Sequence, residues 1–414
     1  MEGKKIILGI TGGIAAYKAA ILASALTKRK ARVTTLMTRA ATKFITPLTL
    51  QSLTREPVYE DVFDERNPTR ITHIELADEA DLVVVAPATA DALSRIAHGI
   101  GDDMLTTVLL ATRAPVVLAP AMNVHMYENK IVQNNMRLLM DAGYHIAEPG
   151  VGPLACGYTG KGRLMEPDDL IEFIEMVLTE KPLRGEHVLV TAGPTRERID
   201  PVRYLSNDST GTMGYALAQM AWRMGAKVTL ISGPVNKPPL MGVELISVTS
   251  AAEMHDVVMR QLPFASILLK AAAVADYRPE VQSELKLKKQ GSDPYKLTLV
   301  QNQDILKAIH DLPAHSCFVV GFAAETHDAD YYARKKLDEK GLDLLILNNV
   351  LEPGAGFGET TNRVALFYPD GSVETLPLAP KLDVAHDILL AVAREMTRKR
   401  RISGQTVDRL DSSL

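Results

Sequence analysis

Short apolar runs return along this chain at intervals filled by helical patterns, and they do so twice. KIILGIT, RVTTLMT, DLVVVAP, PVVLAPA and YHIAEPG read as strands in the first half. Between the first two, IAAYKAAILASALTKRK has apolar residues at helical spacing and a basic last turn. Strand, glycine turn, helix, strand is the pattern of a parallel, doubly wound sheet, whose strands are apolar on both faces because helices cover both. The pattern restarts near residue 187 with HVLVTAGPT, and VTLISG, SILLKAAAV, FVVGFAAE and DLLILNNV follow. A late run, VALFYPDGSVETLPL, has the form of a hairpin turning at Asp370-Gly371. The expected class is α/β, with two doubly wound Rossmann-like domains and mostly parallel sheets.

A chain of 414 residues exceeds one ordinary core, which also favours two domains. The polar stretch TEKPLRGEH, residues 179 to 187, is the natural seam, giving domains at 1–180 and 187–398. Residues 399–414, at the end of RKRRISGQTVDRLDSSL, are expected to be a disordered tail with a solvated basic cluster. Apolar content of 46%, charged content of 23% and a net charge of −4 suit a soluble protein with no nucleic-acid or membrane-surface partner. No apolar run approaches the roughly 20 residues of a membrane helix, and MEGKKIILGITGG passes straight into a strand, leaving no room for a signal peptide. The two cysteines have unlike surroundings and no CxxC partner, so free thiols in a reducing cytoplasm are expected, without a disulfide or structural zinc.

In the first half, Thr11, Gly12 and Gly13 stand between a strand and a helix. A helix N-terminus offers unpaired N–H groups and partial positive charge, which suits a phosphate. A close strand–helix turn without a ligand explains the same residues, and GxGxxG is absent. Three further stretches are expected at strand ends: APATADALSRIAHGIGDD, APAMNVHMY, and THIEL at 72–76. Asn123 can recognise a carboxylate or serve as a turn residue; His73 can exchange protons near neutral pH or cap a helix. Cys156 stands in LACGYTGKGRLMEP, a cationic, glycine-rich stretch unlike the apolar CFVVGF around Cys317.

In the second half, TAGPTRERIDPVRYLSNDSTGTMG leaves a strand and enters a helix near Gly211, so Ser206, Asn207, Ser209 and Thr210 lie ahead of a helix N-terminus as an anion site or as ordinary caps. KAAAVADYR is expected to end a strand with Asp276, and KLKK at 286–289 is either a binding element or a solvated face. QNQDIL, GFAAET and YARKKLDEKGLDLLILNN supply candidate nucleotide contacts at Asn302, Asp304, Phe322, Lys336 and Lys340. No GxxxxGK[ST] occurs, which disfavours a Walker-type ATPase.

Taken together, TGGIAAYK, FITPLTLQ, HIEL, APATAD, PAMN and ACGYTGKGRLMEP resemble, in order and spacing, the flavin-dependent cysteine decarboxylases that act on phosphopantothenoylcysteine. The second half resembles their bacterial fusion partner, the phosphopantothenate–cysteine ligases, so the whole chain to about residue 398 resembles the bifunctional coenzyme A biosynthesis proteins. The resemblance implies a flavodoxin-like flavoprotein domain first, with flavin mononucleotide framed by Thr11, Gly12, Gly13, Thr38, Ala88 and Thr89. It implies oxidation of the substrate's CH2–SH to a thioaldehyde, which then accepts the electrons of decarboxylation before reduction and protonation. Cys156 becomes the proton donor on a closing flap, His73 an active-site histidine of the oxidative phase, and Asn123 the grip on the substrate carboxylate. Lys161 and Arg163 hold the substrate phosphate, lower the cysteine pKa, or are merely solvated.

For the ligase half, the resemblance implies that 4′-phosphopantothenate attacks CTP with Mg2+, forming an acyl-cytidylate that cysteine then opens. Lys286 is the catalytic lysine, Asn207 contacts the acyl group, Arg203 the pantothenate phosphate, and Asp276 the cytidine end. Ala272 and Ala273 let the backbone approach the ligand. Thr212 stands where relatives have lysine, and Gln303 where proline is usual. Family members are homo-oligomers, trimer-based and often dodecameric, with dimerising ligase domains. The competing readings are a non-catalytic flavin-binding regulator, a chain with only one active domain, and a nicotinamide dehydrogenase.

Overall fold

The computed structural model describes residues 1–63, 71–153, 157–288, 295–325, 328–349 and 358–402. The chain divides into two compact units, Met1–Thr179 and Glu180 onward. In the first, six strands, β1 (Lys5–Ile10), β2 (Arg32–Met37), β3 (Val58–Tyr59), β4 (Leu82–Ala88), β5 (Val116–Pro120) and β6 (His145–Ile146), form one sheet in the order β3-β2-β1-β4-β5-β6. Every pairing in it is parallel. Without the two-residue edge strand β3 the order is that of flavodoxin, as expected.

The reason for the two-sided burial is visible residue by residue. Along β1 and β4, Ile6, Leu8, Ile10, Leu82 and Val84 pack on one face with helices Ala16–Lys28 and Pro167–Leu178. Ile7, Val83 and Val85 pack on the other face with Leu93, Leu105 and Val108, from helices Ala90–Ala97 and Met104–Ala111. Asp103 and Thr106 cap the last of these helices reciprocally. After β6 the chain makes an antiparallel hairpin of β7 (Gly150–Pro153) and β8 (Thr159–Arg163). Residues 154–156, Cys156 among them, lie outside the described residues.

The second unit repeats the plan. Its strands among the described residues are β9 (His187–Ala192), β10 (Arg196–Arg198), β11 (Tyr204–Ser206), β12 (Lys227–Ser232), β13 (Val243–Ser247), β14 (Ile267–Lys270), β15 (Tyr277–Pro279), β16 (Leu299–Gln301), β17 (Phe318–Glu325), β18 (Leu344–Asn349), β19 (Thr361–Asn362), β20 (Val364–Phe367), β21 (Val373–Thr375) and β22 (Ala379–Pro380). The main sheet runs β13-β12-β9-β14-β17-β18-β20-β21. It is parallel as far as β18 and closes with the antiparallel pair β20 and β21, whose turn holds Gly371 at φ +88°.

Three expectations change. THIEL does not follow a strand: Thr72–Glu79 is a helix ahead of β4, so His73 sits in a first helical turn. The strand in KAAAVADYR ends at Lys270, which leaves Asp276 in the loop before β15. Residues 399–402 are not a disordered tail but the last turn of helix Lys381–Ile402. The basic cluster finds partners far away in sequence: Lys399 meets Asp343 at 2.5 Å, and Arg400 holds Glu186 with two bonds of 2.7 and 3.1 Å. Residues 403–414 are not among the described residues.

Both carboxylates are largely covered, with side-chain exposures of 14% for Glu186 and 17% for Asp343. These pairs therefore exceed ordinary surface ion pairs in worth. Replacing Lys399 and Arg400 together by alanine is expected to lower the melting temperature of this unit by roughly 3–6 °C, read by calorimetry.

Candidate active sites of the two units

In an open parallel sheet, ligands bind beyond the carboxyl ends of the strands where strand order reverses. That point in the first unit lies between β1 and β4, and Thr11 stitches it together. Its buried hydroxyl donates to the Pro87 carbonyl at 2.6 Å and accepts from the Thr89 amide at 3.1 Å. Thr11 thus shapes the crevice with its hydroxyl already engaged. Gly12 is needed for close approach, since a Cβ there would lie 2.3 Å from that of Ala40. Helix Ala16–Lys28 begins beside them with no side-chain cap and no acidic residue in its first turn. Its end is open to an anionic ligand.

These residues line a cavity of about 1390 Å3. That exceeds the roughly 300–1,000 Å3 of ordinary small-molecule sites and leaves room for a cofactor and a substrate together. Gly12, Gly13, Thr38, Thr89 and Asn123 line it, as does Arg163 from β8. Ala88 does not: it is fully buried, and its carbonyl accepts from the Ala121 amide at 3.1 Å. His73 is also absent from this lining, and its buried Nδ1 has no hydrogen-bond partner among the described residues. Asn123 caps helix Val124–Glu128 by accepting from the His125 amide at 2.8 Å.

The glycines of GKGR are explained by contact. A Cβ on Gly160 would lie 2.6 Å from a Val124 methyl, and one on Gly162 2.3 Å from the Met122 carbonyl, with Gly162 at φ +150°. The Met122 amide donates to the Gly162 carbonyl at 3.0 Å, so the hairpin lies directly on the loop bearing Asn123. Lys161 is taken up by Glu148 at 2.6 Å, beneath the Tyr127 ring, and does not line the cavity. Behind Arg163, Glu166 accepts from the buried Lys18 at 2.9 Å and from Arg163 at 2.9 Å. The Lys18 hydrogen bond holds the Glu166 carboxyl below its usual range.

The second unit has its reversal between β9 and β14, where Ala273 donates to Gly193 at 2.9 Å. Gly193 and Gly211 both have positive φ, and Gly211 opens helix Thr212–Arg223, again with no side-chain cap. Ala272 and Ala275 are fixed by the hydroxyls of Thr191 and Thr195 at 3.2 and 3.0 Å. Asn207 reaches across this loop to donate to the Val274 carbonyl at 3.1 Å.

A cavity of about 250 Å3 lies alongside, lined by Asp276, Asn302, Asp304 and Lys336 among others. Lys336 donates to the Phe322 carbonyl at 2.8 Å, and Lys340 pairs with Asp304 at 2.9 Å, so these five candidates and Phe322 form one cluster. Ala272, Ala273, Asn207, Arg203 and Lys286 lie outside that lining. Lys286 makes no hydrogen bond or ion pair among the described residues, whereas Arg203 is bound to Asp200. Among the described residues there is no cluster of side chains with metal-ligand grouping, and no helix is long and apolar enough to cross a membrane.

Sequence reasoning missed several lining residues, Lys18, Arg39, Lys43 and Arg95 in the first cavity and Lys270 in the second among them. Lys270, the last residue of β14, lines the cavity and donates to the Ala272 carbonyl at 3.3 Å. Its signal in the sequence was a lone charge terminating SILLK. Burial, with Lys336 nearby, depresses its pKa from 10.5 to about 8.

Residues 1–179 match the Flavoprotein family, and residues 183–396 match the DNA/pantothenate metabolism flavoprotein C-terminal domain. The chain is 49% identical over 397 residues to the coenzyme A biosynthesis bifunctional protein CoaBC of Bacillus subtilis, covering 95% of this chain and 97% of that one. It is 42% identical over 404 residues to the protein of the same name from Escherichia coli K12, covering 97% and 99%. A crystal structure of the C-terminal domain of a CoaBC protein is 36% identical, covers 53% of this chain and all of its own, and superposes with a TM-score of 0.46.

Anion binding to the second-unit cavity is expected to weaken as pH rises through about 8, because Lys270 then loses its proton. Above that pH, affinity falls by up to about tenfold per unit if this charge meets the anion. Titrating a nucleoside triphosphate by calorimetry between pH 7 and 9.5 tests this, and Lys270→Met is expected to flatten the profile. The stability effect has the opposite sign. The folded-state pKa lies below 10.5, so this unit gains stability between pH 8 and 10.5 as the buried ammonium deprotonates.

Proposed function

The chain belongs to the family of bifunctional coenzyme A biosynthesis proteins, and from that membership we propose how its two units divide the work. The first unit, residues 1–180, is the phosphopantothenoylcysteine decarboxylase, and the second, residues 187–398, is the phosphopantothenate–cysteine ligase. The observation that carries this reading is the cavity at the β1–β4 reversal. There an uncapped helix N-terminus, Thr89 and Asn123 meet the hairpin that flanks Cys156. In the cytoplasm such a chain converts 4′-phosphopantothenate and cysteine to 4′-phosphopantetheine.

In the ligase unit, CTP brings Mg2+ with its phosphates, and the cluster of Asp276, Asn302, Asp304, Lys336 and Lys340 receives the cytidine end. Lys286, which has no partner among the described residues, is available to the triphosphate. Its charge stabilises the pyrophosphate that leaves as the acyl-cytidylate forms. Arg203 meets the substrate phosphate. Asn207, held by Val274, faces the acyl carbonyl that the cysteine amine attacks.

In the decarboxylase unit, the amides following Gly13 and the turn at Gly12 receive the phosphate of flavin mononucleotide, and Thr11, Thr38, Ala88 and Thr89 fix the backbone around it. When bound, the flavin supplies the two-electron oxidation of the substrate thiol and returns those electrons after carbon dioxide has left. Asn123 orients the departing carboxylate, and Cys156 delivers the final proton. His73 does not line the cavity of its own chain, which fits a site completed across a subunit contact. We place the working form as a trimer-based homo-oligomer, with a dodecamer formed through dimerising ligase units, so an isolated monomer lacks decarboxylase activity.

Cys156→Ser is expected to permit oxidation and decarboxylation while stalling the final protonation, because a hydroxyl is a far weaker acid than a thiol. Mass spectrometry then finds a decarboxylated, oxidised product, and normal phosphopantetheine yield removes Cys156 from this role. Lys286→Gln is expected to slow pyrophosphate release on the order of 10²–10³-fold. Asn207→Ala should spare that release and suppress amide formation. Identical defects in the two variants contradict the division of roles.

A further inference from the structure

Two cations proposed for the ligase reaction, Arg203 and Lys286, come from stretches far apart in the sequence, and one buried carboxylate joins them. Asp200 has no exposed surface. Its Oδ1 accepts from the backbone amides of Val202 and Arg203, both at 2.8 Å, which closes the turn around Pro201. Its Oδ2 accepts from the Arg203 guanidinium through Nε at 3.0 Å and Nη2 at 2.5 Å. The same oxygen accepts from the Leu287 amide at 3.2 Å, 87 positions away. Arg203 Nη2 donates in addition to the Leu287 carbonyl at 2.8 Å. A further stitch runs from the Ser283 amide to the Ile199 carbonyl at 3.0 Å.

The two oxygens thus do different things. Oδ1 builds the local turn, while Oδ2 ties a side chain and a distant backbone to that turn. Arg203 is held by the Nε–Nη2 edge of its fork, and its Nη1 makes no hydrogen bond among the described residues, with the side chain 51% exposed. A guanidinium fixed through Nε and Nη2 offers its Nη1 to an anion in a set direction. Lys286 immediately precedes the clasped Leu287. Its backbone is therefore anchored while its side chain is unpartnered among the described residues.

We infer that Asp200 is a positioning residue of the ligase, fixing Arg203 and the backbone at Lys286 so that the substrate phosphate and the nucleotide triphosphate meet cations at a set separation. This rests on the proposed roles of Arg203 and Lys286. Asp200 touches neither substrate in this role; it acts through the two residues it holds. Its carboxyl is held well below the usual carboxylate range, first by the Arg203 hydrogen bond, so it remains an anion at working pH.

Asp200→Asn separates the two oxygens. The amide oxygen can keep the Val202 and Arg203 amides, so the turn is retained. The amide NH2 then occupies the Oδ2 position and faces only donors, from Arg203 and Leu287, so the clasp opens. In the full-length chain, the variant is expected to lose on the order of 10²-fold in kcat/KM for 4′-phosphopantothenate in CTP-dependent pyrophosphate release. The KM for 4′-phosphopantothenate should rise through the freed Arg203, and that for CTP should rise with it through the unanchored backbone at Lys286. Adding Asp200→Asn to Lys286→Gln should cost less than the product of the two separate losses, since both act through one arrangement. Decarboxylation of supplied phosphopantothenoylcysteine by the same chain should be unchanged.

Wild-type pyrophosphate kinetics in Asp200→Asn overturn the inference. So does a loss that multiplies fully with that of Lys286→Gln, which marks a general loss of folded ligase unit. A wild-type chain that releases no pyrophosphate from CTP overturns the ligase reading itself, and this inference with it. Wild-type release beside an unaffected variant overturns the inference alone.

Discussion

Both sites depend on the pairing of one strand with parallel neighbours on each side. β1 lies between β2 and β4, and β9 lies between β12 and β14. Right-handed crossovers to opposite sides of a central strand carry the chain away from the two carboxyl ends in opposite directions, and a crevice is left between them. Thr11 spans it in the first unit by bonding to Pro87 and Thr89. Thr191 and Thr195 span it in the second by bonding to Ala272 and Ala275. A threonine at the end of the central strand fixes the width of each crevice, and the loops that hold ligand-directed groups are hung from it.

The same plan then serves two chemistries. In each unit, glycine lets the chain pass closely from strand to helix: Gly12 against Ala40, and Gly214 against Ala192, where a Cβ would come within 2.5 Å. In each, the helix that follows has no side-chain cap, and in the first unit the Ala16 and Lys18 amides donate to the Gly13 and Ala15 carbonyls. What differs is the set of charges around that end. The first unit encloses a large cavity whose lining holds Lys18, Arg39, Lys43, Arg95 and Arg163 beside the carboxylates of Asp61, Asp91 and Asp102. The second gathers Lys270, Lys336 and Lys340 against Asp276 and Asp304 around a small one.

Much of this was legible in the sequence, because it rests on local signals. The apolar runs, the glycine turns at Gly12 and Gly211, and the Asp370-Gly371 hairpin are each encoded within a few residues. What escaped depends on partners remote in the chain. RKRR reads as a solvated tail until Glu186 and Asp343 are brought beside it. Asp200 drew no notice in the sequence, since only the fold delivers Leu287 to its second oxygen. THIEL is expected at a strand end, whereas Thr72–Glu79 is a helix ahead of β4. Lys161 seemed available for a ligand, but Glu148, thirteen positions earlier, claims it. Asp276 stands in the loop beyond Lys270, Asn302 and Asp304 follow β16, and Lys336 lies within helix Ala329–Glu339, so only the fold brings these four to one cavity.

The measurement that bears most directly on this two-unit assignment supplies the full chain with 4′-phosphopantothenate, cysteine, CTP and Mg2+ and follows the products by mass spectrometry. The expected result is that phosphopantothenoylcysteine forms first and is then replaced by a species lighter by one carbon dioxide, 4′-phosphopantetheine. Both should be absent when CTP is omitted, whereas phosphopantothenoylcysteine supplied directly should still be decarboxylated. Amide formation without pyrophosphate release, or a ligation product that the same chain never decarboxylates, would contradict the assignment.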